Sequence, residues 1–290
     1  MTFEYWFMFP VAILVATIAM ASGVGGATFF APIFILALRL SPEVAIGTGL
    51  ITEVFGFASG VGAYVRKHLI DYRLGGALLV ATIPAAVVGS WLSGALNPGF
   101  LKVILGMGLL GVALSFLRAP ERSDVDRADK AIDEEYGGEE AETCLVAADG
   151  EEIRYTVCNR TEGRIIAGIG GLFVGLISTG LGELNGYFLL QRCKVPSKVS
   201  VATSVFVVAF TALSAATGHL VQFIRAGGDE LQTVLSIAIF TVPGVILGAQ
   251  LGAAVASRIS QHVLERALGV LFVLIALLTL SEALLGKDPS

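Results

Sequence analysis

The feature that most limits what this chain can become is a repeated series of long apolar runs. Five apolar segments, about 5–21, 28–38, 44–65, 74–96 and 101–117, precede an acidic stretch, and five more, about 165–177, 184–191, 199–223, 233–256 and 264–285, follow it. Several exceed the roughly 18 residues at which an apolar run reads as a membrane-crossing helix. So many runs of that length cannot hide in one water-soluble core. The chain therefore reads as an all-α integral membrane protein in a lipid bilayer. Charge agrees, since only 15% of residues are charged, against about a quarter in soluble domains. The 35 glycines point to closely packed helices and deliberate helix breaks rather than to flexible linkers.

The two sets of segments repeat one another in detail. Ser41-Pro-Glu-Val-Ala-Ile-Gly-Thr48 aligns with Pro196-Ser-Lys-Val-Ser-Val-Ala-Thr203, and Ser59 and Ser214 each lie eleven residues beyond those threonines. Pro84 with Gly89 matches Pro243 with Gly248, and Leu105-Gly106 matches Leu268-Gly269. An internal duplication sets the architecture before any fold is chosen. It divides the chain into a first transmembrane repeat (1–117), an insert (118–164) and a second transmembrane repeat (165–290).

The first two segments of each repeat are short. At 1.5 Å per residue, 5–21 reaches about 25 Å and 184–191 about 12 Å, against a hydrocarbon core of about 30 Å. A Gly-rich break joins each pair, Ser22-Gly-Val-Gly-Gly-Ala27 and Thr179-Gly-Leu-Gly-Glu183. Each pair is either a re-entrant hairpin or one long helix broken in the middle. Loop charges separate the two. A hairpin leaves three crossings per half, an odd number that inverts the second half; a broken helix makes four, and both halves point the same way. Arg66, Lys67 and Arg73 put the 66–73 loop in the cytoplasm, where membrane proteins concentrate loop cations. The inverted arrangement then also keeps Arg192, Lys194, Lys198, Arg258 and Arg266 inside, whereas the parallel one sends all five outside. The expectation is two inverted repeats, each a short helical hairpin or broken-helix pair plus three transmembrane helices. Both termini then lie outside. Residues 5–22 read as an uncleaved first segment, because Glu4 stands where a secretory signal needs positive charge.

That topology makes the insert a small soluble cytoplasmic piece. Between Arg118 and Arg164 stand 7 Lys+Arg and 14 Asp+Glu, so the rest of the chain holds 12 (19 − 7) against 10 (24 − 14). No basic cluster suits a nucleic acid. Residues 121–142 are acidic with few large apolar side chains and read as mobile. Residues 144–158, with Asp149-Gly150 between β-prone runs, read as a hairpin that sets Cys144 and Cys158 face to face. A reducing cytoplasm argues against a standing disulfide there. Neither these cysteines nor Cys193 falls in a metal-ligand spacing, and no cofactor motif is present.

Gly23-Val-Gly-Gly-Ala-Thr-Phe-Phe-Ala-Pro32, then Ser41 to Thr48, then a Ser- and Gly-bearing helix, resembles the signature of the sulfite exporter TauE/SafE family of membrane permeases. Val199-Ser-Val-Ala-Thr-Ser204 is similar to it in the second half. The resemblance implies transport of a small sulfur-containing anion, such as sulfite, thiosulfate or an organosulfonate. Two departures stand out: Ala27 replaces a common third glycine, and Glu183-Leu-Asn185 replaces a glycine and an apolar run.

The physics of helix breaks is compatible with anions. The N-terminus of a broken helix offers free backbone N–H groups and a partial positive charge of roughly half a unit. Glycines let an anion approach closely, and in inverted-repeat transporters such ends face the substrate near the midplane. Those glycines equally suit plain helix crossings. The expected anion shell is Ser22, Gly25, Gly26 and Thr28 from the first break and Gly182 and Asn185 from the second, whose helix should start near Leu184-Asn185. Thr48, Thr203 and Ser204, with Ser59 and Ser214 further along, complete it. Hydroxyls in membrane helices also bond back to carbonyls one turn earlier. Glu53 lies mid-helix among Gly49, Gly56 and Gly60, so it faces protein, and an intramembrane acid suggests proton coupling. Its counterpart is Val208. Glu183 either caps its half-helix or competes with the anion. His219 reads as interfacial. Competing functions are a cation carrier or channel using Glu53 and Glu183, or an intramembrane sensor. No nucleophile–base pair supports an enzyme.

Overall fold

The structure is a computed structural model that describes residues 3–22, 27–118, 122–136, 141–255 and 261–284. The first half runs α1 (Met8–Ser22), α2 (Ala27–Leu36), α3 (Pro42–Arg66), α4 (Tyr72–Ala95) and α5 (Pro98–Leu117). The insert contributes α6 (Arg122–Tyr136), β1 (Thr143–Val146) and β2 (Glu152–Tyr155). The second half runs α7 (Arg160–Ile177), α8 (Leu181–Gly186), a π-helical stretch (Tyr187–Arg192), α9 (Ser197–Ala226), α10 (Gly228–Val255) and α11 (Gln261–Leu284). Among the described residues, α3, α4, α5, α9, α10 and α11 are long and apolar enough to cross a membrane.

Local chemistry sets these boundaries. Asp71 opens α4 by accepting the N–H groups of Arg73 and Leu74 at 3.0 and 2.9 Å. Asn159 does the same for α7, and Asn97 precedes Pro98 at α5, where proline's fixed φ and missing N–H fit a first turn. Aromatics such as Trp6, Tyr72 and Trp91 are exposed near helix ends, as expected for anchors at a membrane boundary.

The packing survives exchange of the two halves. Helix α4 packs on α7 as α10 packs on α1; α4 packs on α9 as α10 packs on α3; α2 packs on α3 as α8 packs on α9. The α3–α9 and α5–α11 pairs map onto themselves. The matched glycines act alike in the two halves. Gly89 brings α4 against the backbone of Leu172 and Gly175, and Gly248 brings α10 against that of Ile13.

Helices α3 and α9 run antiparallel. Gly47, near the start of α3, meets Phe223 near the end of α9. Asp71, beyond the end of α3, donates its N–H to Thr203 Oγ1 near the start of α9 at 3.1 Å. The loop after α3 and the loop before α9 therefore share one face of the molecule.

The insert docks on that face. Tyr155 donates its hydroxyl to Asp71 Oδ2 at 2.8 Å, and Ala148 N–H reaches Lys67 O at 3.0 Å. Asp129 accepts the Ser197 N–H at 2.9 Å and also the Ser197 hydroxyl, capping α9. Glu135 meets Lys194 at 3.7 Å, Glu142 meets Arg160 at 3.7 Å and Glu151 meets Lys198 at 2.6 Å. The concentration of acid in the insert thus answers cations of the second half.

Three expectations about this region change. Residues 122–136, expected to be mobile, form α6. Composition alone could not reveal this, because the helix is fixed from outside, through buried Ile132 and the Asp129 cap, and tertiary contact overrides weak intrinsic propensity. The hairpin forms, but its register sets Cys144 opposite Arg154, not Cys158. Cys158 lies beyond β2 and is disulfide-bonded to Cys193.

Burial and the neighbouring Asp71 charge raise the pKa of the Tyr155 phenol above its ordinary value near 10. A raised folded-state pKa adds stability that is fully present below the unfolded value and is lost only as pH rises past it. The docking bond should therefore be intact at neutral pH and weaken only above about pH 10. Tyr155→Phe should weaken insert docking by about 1.5–3 kcal/mol, as expected for a hydrogen bond to a charged group. Faster limited proteolysis between α5 and α7 would register it, whereas an unchanged cleavage rate would show that the bond is dispensable.

Candidate functional site

Between the two halves lies a cavity of about 950 Å³. Its inner end is built by the second break, from Ser178 to Glu183, with Thr28 of α2 and Glu53 of α3. The break is a sharp reversal, with Ser178 at φ 60° and Gly180 at φ 105°. Gly180 suits such a left-handed position, whereas a serine there is strained. Thr28 and Thr179 share a hydrogen bond at 3.1 Å between their hydroxyls, linking the first α2 turn to the second break.

Helix α8 begins at Leu181, one turn earlier than Leu184-Asn185. Glu183 therefore sits in its first turn, three residues after the Gly180 N-cap. Its carboxylate folds back on the N–H groups of Gly180 and of Glu183 itself, the reciprocal half of a capping box. The same residue lines the cavity. Glu183 thus stands both in the first turn of α8 and on the cavity wall.

The cavity is one-sided. Along α9 it takes Ser200, Val201, Ser204, Val205, Val208 and Ala212, a length of about 18 Å at 1.5 Å per residue. Along α3 it takes only Glu53 and Phe57, the repeat counterparts of Val208 and Ala212. Beyond them, Ile46 and Leu50 are fully buried and Gly47 is closed over by Phe223. Toward the insert face, Asp124, Asp129, Ile132 and Glu135 of α6 form part of the wall. Counted by charge, Glu53, Asp124, Asp129, Glu135 and Glu183 face Arg118 and Lys194.

The structure brings Thr28, Glu53, Gly182, Glu183 and Ser204 to this cavity. Three other expected shell residues lie off its lining. Thr48 donates its hydroxyl to Val44 O at 2.6 Å, Thr203 accepts from Asp71 N–H, and Asn185 is buried. The threonines serve the backbone because their own helix carbonyl or a neighbouring loop is nearer than the cavity. Ser59 is exposed, and Ser214 is half-buried and bonds back to Phe210 O at 2.9 Å. Gly25 and Gly26 lie outside the described residues, and Ser22 is the last residue of α1. His219 is fully buried, with Nε2 2.9 Å from Gly175 O. Sequence reasoning missed Ser178, Thr179 and α6. Ser178 directly precedes the Gly-rich break and Thr179 opens it, though neither was placed in the expected shell; α6 reaches the cavity only through folding.

These features define a class: a multi-pass membrane protein with a cavity between its two halves. The sequence model of the family described as sulfite exporter TauE/SafE matches residues 8–279, and the chain belongs to that family of membrane transporters. Two relatives from Bacillus subtilis (strain 168) are similar. "Probable membrane transporter protein YunE" is 23% identical over 270 residues, covering 91% of this chain and 92% of its own. "Probable membrane transporter protein YjnA" is 24% identical over 250 residues, covering 84% and 88%. No solved structure matches this chain.

Proposed function

We propose that this protein is a secondary transporter that moves a small sulfur-containing anion (sulfite, thiosulfate or an organosulfonate) by alternating access between two inverted halves, together with protons. The observation that carries the reading is the one-sided cavity in which the second break, Thr28, Glu53 and Glu183 converge. A path lined along α9 and closed along α3 is one state of an alternating-access cycle. The exchange-symmetric packing supplies a second state, in which the halves swap roles. The antiparallel course of α3 and α9 and the shared face of their loops support inversion. With the cations of the 66–73 and 192–198 loops on that face, the insert is cytoplasmic and the cavity faces inward.

The charges of the lining specify how an anion enters. Glu53 and Glu183, when ionised, repel an anion at close range in a low-dielectric site. Glu183 also holds N–H groups that the anion would use. Protonation removes both obstacles, so anion and proton travel in the same direction. Thr28, Thr179, Ser178, Gly182 and Ser204 provide polar contacts without a buried cation; Thr48, Thr203 and Asn185 support that shell from outside the lining, and Ser22, Gly25 and Gly26 of the first break belong to the proposed shell.

The acid-rich lining also favours a second reading, a cation carrier or channel using Glu53 and Glu183. Proteoliposomes separate the two. Under an inward proton gradient, labelled sulfite, thiosulfate or a sulfonate should accumulate, and dissipating the gradient should stop it. Uptake of a metal cation with none of these anions would overturn the proposal.

A further inference from the structure

The second hairpin is fastened at its base as well as at its tip. Cys158 stands just before α7 and Cys193 just after the π-helical stretch, so their disulfide joins the two ends of the segment that carries the cavity break. The Cα atoms are 5.0 Å apart, and 35 residues separate the two cysteines in sequence. The Arg192–Glu162 ion pair, at 3.0 Å, bridges the same two arms. The first half contains no cysteine, so this fastening has no counterpart there.

The two sulfurs differ in access. Cys158 is exposed and Cys193 is 5% exposed. Arg160 lies two residues beyond Cys158, and Arg192 and Lys194 flank Cys193; each of these cations meets a glutamate, Glu142, Glu162 and Glu135 respectively. Gln191, Lys194 and Val195 line the cavity on either side of Cys193. The disulfide therefore stands next to cavity-lining residues, and one of its two cysteines is exposed. Access to one sulfur is what opens a disulfide to a nucleophile.

We propose that the Cys158–Cys193 disulfide is a covalent exchange site for a nucleophilic sulfur oxyanion of the sulfite type, which attacks Cys158 and releases the base of the second hairpin. This rests on the reading of the cavity as a path for such anions. The sulfur lone pair of sulfite forms a new S–S bond to Cys158 Sγ. The Cys158–Cys193 bond breaks, its electron pair goes to Cys193, and Cys193 takes up one proton from solvent. The products are an S-sulfonate on Cys158 and a thiol on Cys193, with no outside oxidant or reductant. Attack falls on Cys158 because Cys193 is buried. In the cytoplasmic topology proposed above, where standing disulfides are rare, the bond acts as a switch that the transported ion itself opens.

The test uses the full chain, purified in detergent without reductant, and exposed to sulfite or to sulfate, an anion without a nucleophilic sulfur. Peptide mass mapping should find, with sulfite only, a sulfonate on Cys158, a thiol on Cys193 and loss of the cross-linked peptide pair. Cys144, which is in no disulfide, should stay unmodified, and Cys193→Ser should abolish the Cys158 adduct. A sulfonate on Cys193, an intact cross-link after sulfite, or two free thiols before treatment would overturn the proposal. The two readings fail separately. Sulfite flux without the adduct sinks the exchange site alone, and the adduct without flux sinks the transport reading alone.

Discussion

Glutamine in place of Glu53 should leave the protein folded and able to bind its anion, but remove the accumulation that a proton gradient drives. Glu53 is 5% exposed, in the middle of α3 and on the cavity wall. Burying a carboxylate in a membrane protein is costly, and such residues commonly belong to ion or proton pathways. Glutamine keeps the size and hydrogen-bonding capacity of a protonated glutamate but cannot exchange the proton. In proteoliposomes, accumulation against a gradient should fall to that of gradient-free vesicles, while equilibrium exchange of labelled anion continues. An unchanged response to pH would refute a coupling role for Glu53. The repeat supplies an internal control, since Val208 faces the same cavity from the corresponding place in α9. Val208→Ile should alter the size of the cavity without touching the pH response.

A side chain at Gly175 should be far more damaging than its small size suggests. A Cβ there would run into Ala86 O and lie 2.7 Å from Ser90 N. Both are backbone atoms of α4, so no rotamer change relieves the clash. Gly175 O also meets His219 Nε2, tying α7 to α9. Overpacked cores typically lose about 1–3 kcal/mol, and Gly175→Val should lie at or beyond the upper end, because α4 and α7 must separate. Loss of the monodisperse peak in detergent, or a much lower melting temperature, would register it. Gly62→Ala is the contrast. A methyl group there meets nothing within 4 Å, so the substitution should be neutral or stabilise α3 by about 0.5–1 kcal/mol, from helix propensity alone. Equal damage at both positions would mean that the α4–α7 crossing is not the source of the effect.

Much of the architecture was legible in the sequence because its determinants are local. Apolar length names membrane helices, proline and Asx residues mark their starts, and the Pro84/Gly89 and Pro243/Gly248 correspondence announced two halves that pack alike. Glu53 was legible for the same reason: an acid among small residues at helical spacing can only face protein. The hydroxyl shell was less so. Thr48 and Thr203 are matched in sequence, yet one bonds along its own helix and the other caps a loop contact with Asp71. Which of several nearby acceptors a hydroxyl takes depends on distances that a linear pattern does not contain. The acidic insert shows the same limit. Its composition suggests disorder, but α6 is held by Asp129 on α9 and by Ile132, and it walls the cavity.

By itself, the sequence determined that this is a multi-pass helical membrane protein with two related halves and a Gly-rich break in each, because hydrophobic length and repeated motifs act residue by residue. Only the tertiary structure decided what those repeated runs enclose. It brought Thr28 to Thr179, turned Glu183 onto the N-terminus of α8, walled part of the cavity with α6 and joined Cys158 to Cys193. Each depends on contacts between segments far apart in the chain, whose geometry is set by how closely helices cross at glycines such as Gly89, Gly175 and Gly248.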